Sequence, residues 1–216
     1  MISKEITQAH FPVIQEAVHQ LYKFSERAAE PAPPYHSFLR TLSNSVLPML
    51  GITMVLAAGG NFRAECKVSK AAFDFEIPDD ELFEHAVNLV HRSFYSTLGI
   101  VLEAMCKGYC EARGKPVPAS RPPRPPEFMD HINSALNASA LDDNRKAHWR
   151  KYFAAIRILR NKSSHYDTSL TGQEKETLRT AELDYHIGTG DHMQTNPAFY
   201  APLAHTALDF SRELEK

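Results

Sequence analysis

Cysteine is scarce: Cys66, Cys106 and Cys110 make an odd set with no CxxC pair. That argues against a disulfide framework or a zinc ribbon and fits a reducing cytoplasm. Glycine is scarce as well, nine in 216 residues, and short alternating runs of Val, Ile and Thr are nearly absent. Apolar residues instead recur at spacings of three and four, so the class expected is all-α. No apolar run is long enough to span a bilayer. Val46 to Ala58 is broken by Pro48 and Gly51 and falls short of the roughly 20 residues a spanning helix needs. It reads as a buried helix. The N-terminal MISKEITQAHF has no continuous apolar core of a secretory leader, so a cytoplasmic chain with no membrane partner is expected.

What is present is enough apolar content, 43%, for a substantial core in one elaborated domain. Val13, Ile14, Ala17, Val18, Leu21, Tyr22 and Phe24 predict a first helix from Pro12 to Ala29, ended by Pro31, Pro33 and Pro34. A second helix over Tyr35 to Leu56 would be kinked or split at Pro48. Residues 59–77 read as irregular, with Phe73 and Phe75 hinting at a short strand or arm. From Asp80 a long helix to about Arg113 carries Leu82, Phe83, Ala86, Val87, Val90, Phe94, Leu98, Val101, Leu102 and Met105 on a stripe wide enough for a bundle spine, with Gly114 as its C-cap.

Residues 115–126 hold six prolines and predict an extended surface connector. A short helix over Glu127 to Ala138 should bury Phe128, Ile132 and Leu136. Asp142, Asp143 and Asn144 offer caps for the next helix, whose apolar face is Trp149, Phe153, Ile156 and Leu159. Thr171 and Glu174 form a capping box for a helix to about Tyr185. Gly188 to Gln194 reads as a flexible loop, and Asn196 with Pro197 starts a final helix.

Acids are missing from one stretch altogether. Asn144 to Tyr166 contains none, yet carries Arg145, Lys146, Arg150, Lys151, Arg157, Arg160 and Lys162. Seven of the 24 lysines and arginines lie there, leaving 17 elsewhere against 26 acids. Screened charges act over only about ten ångströms at ordinary salt, so this run predicts a local site for a polyanion. Near its end stands RNKSSH, Arg160 to His165.

Arginine and histidine five positions apart near the end of an amphipathic basic helix, with Asn161 directly after the arginine, resemble the Rx4-6H motif of HEPN-domain proteins. The resemblance covers roughly Asp79 to Lys216. It implies an HEPN-like helical bundle over 79–216, with additional N-terminal helices in 1–78 forming an extension packed on it. Many members of that family are metal-independent ribonucleases that act as homodimers with the two motifs facing each other, and others are non-catalytic modules. Toxins and phage-defence effectors occur among them, some governed by an antitoxin. On the carried-over motif Arg160, Asn161 and His165 are the candidate catalytic residues, and Arg157 and Lys162 are candidate RNA contacts. No cofactor and no metal are implied.

The residues suit that chemistry. Cleaving RNA through its own 2′-hydroxyl needs a proton acceptor, a proton donor and positive charge on the crowded phosphorus. Histidine titrates near neutrality and arginine fits phosphoryl oxygens with a fixed fork. A five-residue step on an unbroken helix turns about 500°, leaving Arg160 and His165 roughly 140° apart. Either the helix loosens at Ser163 and Ser164, or a second copy completes the site. Two other classes stay open: a dimeric module that binds RNA, a nucleotide or a protein without chemistry, and a structural helical protein docking an acidic partner. Glu103 reads either as an acid orienting the histidine or as an ordinary paired glutamate. Cys106 and Cys110, one helical turn apart, read as free buried thiols.

Overall fold

A computed structural model describes residues 4–28, 39, 41–42, 44–48, 62–66, 71–75, 80–165 and 168–216. Among these residues the chain is predominantly helical, with one small hairpin. Helix α1 (Lys4–Arg27) starts before Pro12 rather than at it, so the proline lies inside the helix, where it gives up one backbone hydrogen bond. Ile14, Ala17, Leu21 and Phe24 are its buried stripe, while Tyr22 turns outward. Residues 39, 41–42 and 44–48 are helical and bury Leu39, Leu42 and Val46. The rest of the second helix expected there lies outside the described residues. In the stretch read as irregular, β1 (Phe62–Cys66) pairs antiparallel with β2 (Ala71–Phe75), Phe62 opposite Phe75 and Ala64 opposite Phe73.

Helix α2 (Asp80–Glu111) is the spine. Val90, Phe94, Leu98, Val101, Leu102 and Met105 are all buried on it, as their spacing predicts. It ends in a Schellman turn: Lys115 N donates to the Cys110 carbonyl and Gly114 N to that of Glu111, with Gly114 at φ +64°. A left-handed residue at that point is easiest for glycine. Helix α3 (Phe128–Ala138) buries Phe128, Ile132, Ala135 and Leu136 and packs on α2. Asp142 caps α4 (Asp143–His165), its Oδ1 accepting from Arg145 N at 2.8 Å. Trp149, Phe153, Ile156 and Leu159 face the core as expected, joined by Tyr152 and Ala155.

The capping box of α5 (Gly172–Thr180) forms as read, with Glu174 N donating to Thr171 Oγ1 and Thr171 N to Glu174 Oε2. The helix stops at Thr180 rather than near Tyr185. Leu183 N returns to the Leu178 carbonyl and Glu182 N to that of Arg179, with Glu182 at φ +58°. This second Schellman turn brings buried Leu183 back beside buried Leu178. The chain then runs through a 3-10 turn at Asp184–His186. The loop expected to be flexible is pinned by backbone bonds from Leu170 N to the Asp191 carbonyl and from Met193 N to that of Thr168, and Met193 is buried. Asn196 caps the turn at Pro197–Phe199, which leads into α6 (Tyr200–Glu213).

α2 packs on α3, α4 and α6, and α1 lies along α6. One aromatic cluster joins α4 to α6: Phe153 sits 4.6 Å from Phe210 and Trp149 4.9 Å from it, centre to centre. Trp149 keeps its indole N–H satisfied on Glu213 at 2.8 Å. Truncating a ring such as Phe153 in so closed a cluster costs about 3–5 kcal/mol. That cluster fixes α4 as a rigid rod, and the motif is its last turn.

Candidate functional site

Arg160 lies at the edge of the buried face of α4 and reaches across to α2. Its Nη1 donates to Glu103 Oε1 at 2.7 Å, with both side chains a little over a quarter exposed. Glu103 therefore serves the arginine of the motif, not its histidine. The guanidinium passes over α2 at Gly99, where a Cβ would come within 2.6 Å of Arg160 Cδ and 2.8 Å of its Nε. Glycine inside a helix destabilises it by about 0.5–1 kcal/mol relative to alanine, and here it makes room for the arginine. The ring of Phe128 lies 5.8 Å from the guanidinium carbon on another side.

The helix does not loosen at the two serines. Ser163 is buried and donates to the Leu159 carbonyl, Ser164 donates to that of Arg160, and the α-helix runs unbroken to His165. Arg160 and His165 consequently keep their separation of roughly 140° around the axis. The end of α4 is fixed by Arg92 of α2, whose Nε and Nη2 donate to the Ser163 and Ser164 carbonyls at 2.9 and 2.8 Å. These are carbonyls a helix terminus leaves without partners, and a cation is favourable there. His165 is exposed on that anchored turn, and Asn161 is exposed one turn before it.

The remaining predicted contacts diverge. Lys162 points to α5 and meets Glu174 Oε2 at 3.4 Å. Burial pushes the Glu174 carboxyl up, but bonds from Thr171 and the neighbouring Lys162 outweigh it and hold it below its ordinary range. Arg157 is exposed and, with Asn161, lines a groove of about 470 Å³ between α4, the start of α5 and Glu127. The structure thus brings Arg157 and Asn161 together, sends Arg160 and Lys162 to acids on opposite sides, and leaves His165 at the tip.

The acid-free run is less cationic in space than along the chain. Arg145 pairs with Glu213, Arg160 with Glu103 and Lys162 with Glu174, while Arg150 is held by the side-chain carbonyls of Asn133 and Asn137. Acids from α2, α5 and α6 supply what the segment itself lacks. Gly99 and Arg92 went unread in the sequence. A glycine in the middle of a long apolar helix was the available signal for Gly99, since it marks a close approach. Nothing local pointed to Arg92. Cys106 and Cys110 are free and buried, and among the described residues no group of three His, Cys, Asp or Glu could hold a metal. No helix among those residues is long and apolar enough to cross a membrane.

Compared with protein-family models, with curated proteins and with solved structures, the chain matches none.

Proposed function

We propose that the chain is a metal-independent endoribonuclease of the HEPN type, acting at a cleft shared by two copies. The observation that carries this reading is the last turn of α4. There an exposed histidine and asparagine stand on a helix end fastened by Arg92, beside an arginine whose head is steadied by Glu103. In the cleft one His165 takes the proton of the 2′-hydroxyl. The oxygen attacks the adjacent phosphorus, and the His165 of the second copy protonates the departing 5′-oxygen. Arg160 carries charge for the five-coordinate phosphorus, and Asn161 holds a phosphoryl oxygen. Two copies are needed because one helix turns its own Arg160 and His165 apart.

The face available to a second copy is on α2. Leu89 and Ile100 are 56% and 58% exposed, and eleven residues on a helix return to within about 20° of the same direction. Arg92 and Glu103, three residues after each, flank that face, so a two-fold contact there gathers both motifs. In solution the protein should run at twice its 24.3 kDa mass. Ile100→Glu should return it to one copy and remove cleavage together. With RNA in excess chelator, the products should end in 2′,3′-cyclic phosphate. Metal-dependent cleavage, or products with 3′-hydroxyl ends, would overturn the chemistry.

The Glu103–Arg160 ion pair also favours a second reading, a dimeric module that binds RNA without cutting it, because the guanidinium is already neutralised. Binding would then weaken with salt while no new RNA ends appear.

A further inference from the structure

The groove beside the motif has an uneven charge pattern. Its walls include Glu127, Arg157, Asn161, Gln173 and Glu174, with Ile158 as an apolar patch. Glu174 is occupied by Thr171 and Lys162. Arg157 and Glu127 are different. Both are exposed, both line the groove, and among the described residues neither forms an ion pair, with each other or with any third group. Arg145, Arg160 and Lys162 of α4 meet carboxylates, whereas among the described residues Arg157 meets none and shares one groove with Glu127, a carboxylate that meets no cation.

A ligand that satisfies both must offer a pair of acceptors to the guanidinium fork and a pair of donors to the carboxylate. A phosphate satisfies the first and is repelled by the second. Guanine has both edges: O6 and N7 accept from a guanidinium, and N1–H with the N2 amino group present two parallel donors to a carboxylate. Adenine lacks the paired donors, cytosine presents one amino group, and uracil mostly accepts. Bases in single-stranded RNA are free to be read on both edges, and Ile158 supplies an apolar surface for the ring face. A groove of about 470 Å³ lies within the usual size of small-molecule sites.

We propose that this groove is a guanine-reading subsite for single-stranded RNA, with Arg157 on O6 and N7 and Glu127 on N1–H and the 2-amino group. Asn161 belongs to both the groove and the motif, so the guanosine read there is the nucleotide next to the phosphate being cut. The inference rests on RNA being the ligand of the motif, as proposed above, and adds which base is chosen.

The test uses fluorescein-labelled 2′-O-methyl pentanucleotides, UUGUU, UUAUU, UUCUU and UUUUU, which bind without being cleaved, titrated by anisotropy at one fixed salt concentration. The full-length protein should bind UUGUU about tenfold more tightly than the other three, within the 1–3 kcal/mol typical of a good bidentate base contact. Glu127→Ala should bring the four affinities to within about twofold, with UUUUU bound no more weakly than by the unaltered protein. Arg157→Ala should erase the preference and also lower the salt dependence. Equal binding of all four by the unaltered protein, a preference that survives Glu127→Ala, or no binding at all overturns the subsite. Unmodified RNA keeps the two proposals apart. Guanine preference without cleavage leaves the subsite standing and removes the nuclease. Cleavage without guanine preference does the reverse.

Discussion

His165 stands in solvent at the end of α4, whereas His91 and His186 lie inside, 4% and 0% exposed, among Phe94, Tyr95, Phe199 and Tyr200. The inner pair is wired for structure. The Tyr200 hydroxyl and His91 Nδ1 share a hydrogen bond, and His186 Nδ1 reaches the Gln194 carbonyl at 3.2 Å and the Tyr95 hydroxyl at 3.4 Å. Burial pushes His91 down to about 3, helped by the neighbouring His186. Burial likewise pushes His186 down to about 4 against the pull of the Gln194 carbonyl. Both imidazoles are therefore neutral near neutral pH. Residue type alone does not separate a histidine that holds helices together from one that stands in solvent; what encloses it does.

Acid gives the largest effect and sharpens this contrast. The inner histidines bind protons more readily unfolded, near 6.5, than folded, near 3 and 4. Their contribution is thus fully present above about pH 6.5 and is lost as pH falls toward 4. Each can remove up to about 1.4 kcal/mol per pH unit in that window. Urea unfolding at pH 7.5, 6 and 5 should show the fall. Next in size, Tyr200→Phe strips His91 of its partner while keeping the ring, and chemical unfolding should report a loss of about 1–3 kcal/mol with any RNA cleavage intact.

The converse substitution is Gly99→Ala. The added methyl group meets Arg160 Cδ, so the guanidinium must leave Glu103. Stability should change by less than about 1 kcal/mol, because a partly exposed ion pair is worth no more than that, the side chain can swing out, and alanine returns a similar amount to the helix. Cleavage should fall far more than stability does. Equal falls would put Arg160 with the inner histidines as a structural group. Smallest of all, Glu182→Gly should raise stability by about 0.5–1 kcal/mol in thermal unfolding, since glycine takes the left-handed turn before His186 without strain.

Local chemistry was legible in the sequence and long-range pairing was not. The Thr171–Glu174 capping box, Gly114 and the buried faces of α3 and α4 each follow from a few consecutive residues, and all formed. The early end of α5 escaped because Glu182 adopts a conformation that glycine usually marks. The basic run misled because Glu103, Glu174 and Glu213 reach it from other helices. The Tyr200–His91 bond spans 109 residues, and the hold of Arg92 on α4 spans 71, with no pattern near either end to announce them. The spacing of Arg160 and His165 was plain; which side chains they turn toward came only with the packing.

The proposed division of labour gives chemistry to the exposed end of α4 and structure to the enclosed histidines. RNA cleavage by His165→Ala, measured in chelator beside the thermal unfolding of the same preparation, tests it most directly. The expected result is a loss of at least about 100-fold, the lower range for a general acid or base, with the melting temperature unchanged. Cleavage retained at the parental rate, or lost in step with stability, would contradict it.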